Sequence, residues 1–395
     1  MRIVVSGGGT AGHISPALAT CDALKSLDRS VELLYIGQAG GMEERIVAAS
    51  GLQFKAIQAG KFRRYHLASA LEKVMNLHTL APNAKDAVKA VAGVAGSLRI
   101  LRAFKPDVVF IKGGYVGLPV GLAAKILRIP YVVHESDVTP GLTNRVLGRW
   151  AEKVAVGFPV KSYRDFDRAR LVFTGSPVRL EVLAADRGEG LKKFELTEDL
   201  PVVFVTGGSG GAAQINDMVV GALPALLEMC QLIHLTGERE YERVQFELKR
   251  AGGLEHPDRY HAHGFLMGEM APALAAADLV VSRAGANTIA ELAALGKPTV
   301  LIPNYEMAGH QVENARVLAR SGAARVLDGA RLTPEKLVGE VRRLLEDEAE
   351  RGRLARSIRE FYKPDAALAL ARVILGAGGV GENSGQKPNT TEAGE

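Results

Sequence analysis

The chain reads as an α/β protein of two doubly wound parallel sheets facing a cleft, and two observations predict it. Short runs rich in Val and Ile recur, each followed by a helical pattern. Runs that are apolar throughout, rather than alternating, mark strands buried on both faces, hence parallel sheets covered by helices. The second observation is a glycine-rich junction that occurs in each half. It reads Gly7-Gly8-Gly9-Thr10-Ala11-Gly12-His13 in the first and Gly207-Gly208-Ser209-Gly210-Gly211-Ala212 in the second. Each follows a short apolar strand and opens a helical segment. Such a junction turns backbone N–H groups and a helix N-terminus outward, toward a phosphate or a hydroxyl-rich ligand.

Taken in order, the first half has strand runs at Arg2–Ser6, Val31–Ile36, Val108–Lys112, Tyr131–His134 and Lys153–Val156. The second half has them at Val202–Thr206, Gln231–Thr236, Leu279–Ser282 and Thr299–Ile302. Helical patterns lie between them, for example at Ser15–Leu27, Pro119–Leu127 and Glu291–Leu295. The break between halves falls between Phe173 and Leu200, where Thr174-Gly175-Ser176-Pro177 precedes a charged stretch. A long helical pattern from Pro334 to Leu375 is interrupted at Lys363-Pro364. Residues 377–395 are rich in Gly, Asn, Ser, Thr and Glu and read as a disordered tail. In this architecture ligands belong at the carboxyl ends of the strands.

The 395 residues suit two domains, with 47% hydrophobic and 24% charged residues enough for large cores. A net charge of +5 suits phosphorylated substrates or an anionic membrane surface and is too diffuse to point to nucleic acid. The two cysteines, Cys21 and Cys230, lie in different halves, so no disulfide framework or cysteine metal site is expected and a reducing cytosol fits. No secretory signal is expected: Ile3-Val4-Val5 is short and runs straight into glycines. The longest apolar candidate, Val116–Ile126, is broken by Pro119 and Lys125, so no membrane-spanning helix is expected.

Gly7-x-Gly9-x-x-Gly12 matches the dinucleotide fingerprint, which requires an acid at the end of the second strand. That strand ends Tyr35-Ile36-Gly37-Gln38, and the nearest acids, Glu43 and Glu44, lie in the next helix, which weakens a dehydrogenase reading. The ATP-binding P-loop pattern fails because His13 stands in place of its lysine. At a helix start, the dipole disfavours imidazolium, leaving His13 a neutral ring able to accept a proton; a bond to its own loop is the alternative. His134-Glu135-Ser136-Asp137 closes a buried strand at the cleft edge, for use or as a capping cluster. Thr288 and Glu291 have the spacing of a capping box. The alternative is a Glu291 carboxylate that accepts bonds from ribose hydroxyls. His310, Gln311 and Asn314, on a loop after Ile302-Pro303-Asn304, suit the hydroxyls of a neutral sugar. Phe62, Arg63, Arg64 and Tyr65 mix basic and aromatic residues ahead of an apolar helix, and fit either an anionic bilayer surface or a solvated helix end. No metal-ligand spacing is found, so neutralising charge falls to amides, a helix dipole and Arg179.

Several motifs occur in one order: Gly8-Gly9-Thr10-Ala11-Gly12-His13, Gly113-Gly114-Tyr115, His134-Glu135, Gly175-Ser176-Pro177-Val178-Arg179, Gly207-Gly208-Ser209 and Arg283-Ala284-Gly285-Ala286. From residue 1 to about 375 the chain resembles the bacterial MurG family, peptidoglycan glycosyltransferases of the GT-B fold with two Rossmann-like domains. The resemblance implies transfer of N-acetylglucosamine from UDP-GlcNAc to the 4-hydroxyl of the muramyl sugar of lipid I. The products would be lipid II and UDP, with inversion and with no cofactor beyond the donor. It implies an acceptor domain at 1–178, with 362–376 packing back on it, and a donor domain at 179–361. Thr10, Ala11 and Gly12 would approach donor sugar and acceptor diphosphate, with His13 the base, helped by Glu135. Ser209 would lie at the diphosphate and Leu266 near uracil. Ala286, Asn287, Thr288, Ile289, Ala290 and Glu291 would surround phosphate and ribose. Gln311 and Asp137 would meet the sugar, and Arg179 would be a donor-site arginine at the domain junction. The implied location is the cytoplasmic face of the cell membrane, held peripherally. Two departures stand out. Asp137 replaces an amide of the family's His-Glu-Gln-Asn and cannot donate when ionised, and Gly210 replaces a glutamine. A UDP-GlcNAc 2-epimerase and a non-catalytic nucleotide-sugar regulator are the rival readings. The epimerase needs acids at the C2 position that no motif places, and intact His13 and Glu291 argue against the regulator.

Overall fold

The computed structural model describes residues 1–9, 11–60, 77–208, 211–266, 268–305, 309–328 and 331–379. The described residues form two parallel sheets. The first contains β1 (Arg2–Gly7), β2 (Glu32–Gln38), β3 (Gln53–Ile57), β4 (Val108–Gly113), β5 (Tyr131–Glu135), β6 (Lys153–Val156) and β7 (Leu171–Phe173), in the order β3-β2-β1-β4-β5-β6-β7. The second contains β8 (Val202–Thr206), β9 (Gln231–Leu235), β10 (Tyr260–His263), β11 (Leu279–Ser282), β12 (Thr299–Leu301) and β13 (Arg325–Val326), in the order β10-β9-β8-β11-β12-β13.

The apolar runs have the two-sided burial expected of covered parallel strands. In β1, Val4 packs into one cluster while Ile3 and Val5 pack into another on the opposite face. In β8, Val202 and Phe204 face one way, Val203 and Val205 the other. Each sheet reverses its winding beside a glycine-rich junction, between β1 and β4 and between β8 and β11. A switch point of this kind opens a crevice at the strands' carboxyl ends.

Four strands lack any counterpart among the predicted runs: β3, β7, β10 and β13. They are the four sheet edges. An edge strand is covered on fewer sides, so its sequence needs no continuous apolar run; both residues of β13 are exposed. The predicted C-terminal helical pattern is three helices, Pro334–Glu346, Glu348–Arg359 and Ala366–Ala377. The unpredicted break is at Asp347, whose carboxylate accepts from the Glu350 N–H (2.8 Å) and so caps the second helix. The third helix returns to the first sheet, burying Leu370, Ala371 and Ile374 beside Ala17, Cys21 and Leu24. Both cysteines are free and buried. No helix among the described residues is long and apolar enough to cross a membrane.

Candidate active site

A cleft of about 770 Å³ opens between the sheets and is lined by both halves, including Gly12, His13, Tyr115, Glu135, Asp137, Arg179, Gly208, Asn287, Thr288, Glu291, His310 and Gln311. On the first-half side the chain leaves β1 through Gly7–Gly9. Gly9 adopts φ +88°, and a Cβ there would stand 2.5 Å from the Tyr115 ring. The turn is braced from beneath by Glu43, a buried carboxylate that accepts from the N–H groups of Gln38 (3.0 Å) and Gly9 (3.4 Å). The acid near the end of β2 therefore supports the loop.

His13 lies in the first turn of the helix Ala11–Leu27. Among the described residues its buried Nδ1 has no partner. Burial, and after it the Lys112 ammonium, pushes its pKa down to about 3. The ring is neutral at physiological pH, as expected at a helix start, though the causes that dominate are burial and a lysine. Lys112 is the penultimate residue of β4, is fully buried, and donates to Ser136 Oγ at 2.7 Å. Burial lowers its pKa to about 8, against the upward pull of Glu135 and then Asp137.

Glu135 ends β5 and accepts three hydrogen bonds, from Asp137 N (3.0 Å), Gly141 N (2.9 Å) and Asn144 Nδ2 (2.9 Å). Burial, followed by the Asp137 charge, raises its pKa. With both oxygens engaged, it braces the 136–141 loop ahead of the helix Leu142–Leu147. His134 is buried, with Nε2 3.0 Å from the Gly175 carbonyl. Asp137 turns to the other half, where Asn314 Nδ2 donates to its Oδ1 at 2.7 Å. Asn314 Oδ1 accepts from Val138 N (2.9 Å), His310 Nδ1 lies 2.7 Å from the Thr139 carbonyl, and Asn287 Nδ2 donates to the Gly12 carbonyl at 3.0 Å. An acceptor-only Asp137 suits the amide that meets it.

On the second-half side, the helix Ala286–Leu295 begins after Gly285 with no side-chain cap. The capping-box reading of Thr288 and Glu291 fails, since Thr288 lies inside the helix. Glu291 instead meets Arg179, whose Nη2 and Nε approach its Oε1 at 2.9 and 3.0 Å. Burial raises the Glu291 pKa while Arg179 opposes the rise. His310, Gln311 and Asn314 lie in the first turns of a helix, His310–Arg320, where a loop was expected. Gln311 Oε1 accepts from the Asn304 N–H at 3.0 Å.

Comparison with known proteins agrees with this geometry. Family models for the glycosyltransferase family 28 N-terminal and C-terminal domains match residues 3–156 and 202–369. A UDP-N-acetylglucosamine–N-acetylmuramyl-(pentapeptide) pyrophosphoryl-undecaprenol N-acetylglucosamine transferase of Bacillus pumilus is 40% identical, covering 95% of this chain and 98% of that one. Its counterpart from Listeria monocytogenes is 39% identical, covering 95% and 99%. The crystal structure of MurG from Acinetobacter baumannii superposes with a TM-score of 0.71 at 26% identity, covering 95% and 99% of the two chains. The chain belongs to the MurG family. Its two-sheet architecture is the GT-B arrangement of that family.

Of the residues the MurG resemblance singles out, the cleft gathers Gly12, His13, Glu135, Asp137, Arg179, Ala286, Asn287, Thr288, Glu291 and Gln311. It does not gather Leu266, Ile289 or Ala290; Leu266 and Ile289 are buried in the core. Ala11 begins the His13 helix. Thr10, Ser209, Phe62, Arg63, Arg64 and Tyr65 lie outside the described residues, as do 380–395 of the expected tail. Sequence reasoning missed Lys112, although a charged residue closing an apolar run was a visible signal. It also missed the brace at Glu43 and the reach of Asn314 across the cleft. Among the described residues no group of three or more His, Cys, Asp and Glu could hold a metal ion.

Proposed function

We propose that this chain transfers N-acetylglucosamine from UDP-GlcNAc to the C4 hydroxyl of the muramyl sugar of lipid I, with inversion, yielding lipid II and UDP. What carries the reading is the 40% identity to a transferase of that name across 95% of the chain. The cleft supplies chemistry that suits it. His13 presents a neutral imidazole at the mouth of the first half and takes the hydroxyl proton as oxygen attacks the anomeric carbon from the face opposite UDP. Glu135 holds the loop, so the base role falls to His13 alone. Both contacts from Arg179 end on Oε1 of Glu291, leaving Oε2 to accept from ribose hydroxyls. Backbone amides around Gly208 and Ser209, with the helix that follows, stabilise charge on the departing diphosphate. Residues 1–178 with 362–376 hold the acceptor and 179–361 the donor.

Phe62, Arg63, Arg64 and Tyr65 rest on the anionic inner surface of the cell membrane, where the lipid-linked acceptor resides. The test is transfer of labelled GlcNAc to a short-chain lipid I analogue without added metal. Acceptor-dependent UDP release with a disaccharide product is expected. UDP-GlcNAc binding without transfer would overturn the acceptor, and C2-epimerised product would replace the reaction. Liposome binding of a Phe62→Ser/Tyr65→Ser variant should fall; unchanged binding would move the membrane contact elsewhere.

A further inference from the structure

Behind the cleft lining, under Ser136, lies a buried lysine, Lys112. A buried ammonium is costly unless its charge is answered. Lys112 is 1% exposed, and it donates to the hydroxyl of Ser136, which stands in the chain between two carboxylates, Glu135 and Asp137. The carboxylates differ in the donors that already meet them. Glu135 already accepts from two backbone N–H groups and the Asn144 amide. Among the described residues Asp137 has one side-chain donor, Asn314 Nδ2, and through it the first half meets the second. Asn314 is fully buried and also donates to the Ala284 carbonyl (3.0 Å) and accepts from Val138 N. Any shift of Asp137 therefore carries the cleft edge with it.

We propose that Lys112 is a positioning residue for the transfer reaction: its buried ammonium, anchored on Ser136, is the counter-charge that holds the Asp137 carboxylate, and so the loop that docks on Asn314 across the cleft. The inference rests on the transferase reading for its effect on turnover. The contact of Lys112 with Ser136 belongs to the folded chain, and the coupling to Asp137 is what a mutant cycle measures.

The pairing makes a specific demand. Removing Lys112 alone strands a carboxylate, whereas removing both charges leaves none to compensate. Methionine is near lysine in length, and an asparagine in place of Asp137 keeps the oxygen that accepts from Asn314. Lys112→Met should lower kcat about tenfold or more, and the double variant Lys112→Met/Asp137→Asn should recover most of it, giving strongly non-additive losses. Thermal unfolding of the wild type, Lys112→Met, Asp137→Asn and the double variant should show the same recovery. A side chain that only filled space would give losses that add, and additive losses in both measurements overturn the proposal. Should Lys112→Met fail to fold, a folded double variant supports the pairing and an unfolded one overturns it. If the wild-type chain does not act on the lipid I analogue, the reaction reading falls, and the unfolding cycle still decides whether Lys112 and Asp137 are coupled.

Discussion

The two glycine-rich junctions begin alike, as strand, turn and helix, and differ most between Gly9 in the first and Gly208 in the second. The first is crowded. Glu43 accepts from the Gly9 and Gln38 N–H groups, Tyr115 occupies the space beside Gly9, and Gly114 approaches the Gly8 carbonyl so closely that a Cβ would stand 2.2 Å from it. The second is tight at Gly207 and Gly211, where an added Cβ would stand 2.5 Å from the Ala212 Cβ and from the Thr236 carbonyl, but open at Gly208, where it meets nothing within 4 Å among the described residues. The difference fits the roles proposed for the two sides. In the proposed reaction the base is held in one place and one charge state, and His13 and the buried Lys112 lie on the braced side. The proposed diphosphate and ribose contacts need room and donors, and the second side offers the turn at Gly208 and the Arg179–Glu291 pair.

The largest effect is expected from His13→Ala. If the first junction holds the base, kcat falls by about 10²–10⁴, or about 3–5 kcal/mol of barrier, while the UDP dissociation constant is unchanged. Near-normal turnover would move the base elsewhere. Next in size is Gly9→Ala. An alanine at φ +88° carries left-handed strain of about 1–2 kcal/mol, and its methyl meets the Tyr115 ring. That ring is tied through its hydroxyl to Gln38, so overpacking adds about 1–3 kcal/mol in urea unfolding. On the other side, Glu291→Ala should raise the KM for UDP-GlcNAc by about 10- to 100-fold, the worth of hydrogen bonds to a charged group, with a smaller change in kcat. A larger loss in kcat than in KM would place Glu291 with the chemistry instead of the donor.

The central strands and both junctions were legible in the sequence because burial on both faces demands unbroken apolar runs, and such runs have few other readings. The edge strands were not, since Lys55 on β3 and Arg325 on β13 face water. In the site, the glycines and His13 were legible from local spacing alone. Arg179 to Glu291, Asp137 to Asn314 and Lys112 to Ser136 were not, because each pairing joins elements far apart in the chain. The Thr288–Glu291 spacing misled for a related reason: a capping box depends on where the helix starts, and Gly285 starts it earlier.

Acid titration reads both halves at once. His13 on the first side and His234 on the second, the latter between the Tyr260 hydroxyl (2.9 Å) and Asn216 Oδ1 (3.1 Å), are each held down to about 3 by burial. Unfolded histidine binds a proton near pH 6.5, so between about 6.5 and 3 the unfolded chain takes up protons the folded one refuses. Their contribution is complete above pH 6.5 and declines as pH falls, by at most about 1.4 kcal/mol per pH unit for each histidine. Urea midpoints at pH 7 and pH 5 should show the decline, and His13→Ala should make it shallower by one histidine's share. An unchanged slope would mean that His13 is protonated in the folded chain.

The smallest expected effect is also the direct control for the crowded junction. Gly208 has φ +82°, nearly that of Gly9, but no neighbour among the described residues for a methyl to strike. Gly208→Ala therefore isolates the cost of left-handed backbone, about 1–2 kcal/mol in urea unfolding. The amount by which Gly9→Ala exceeds it measures the Tyr115 contact alone. If the two substitutions cost the same, Tyr115 yields, and the contrast between a braced Gly9 and an open Gly208 fails.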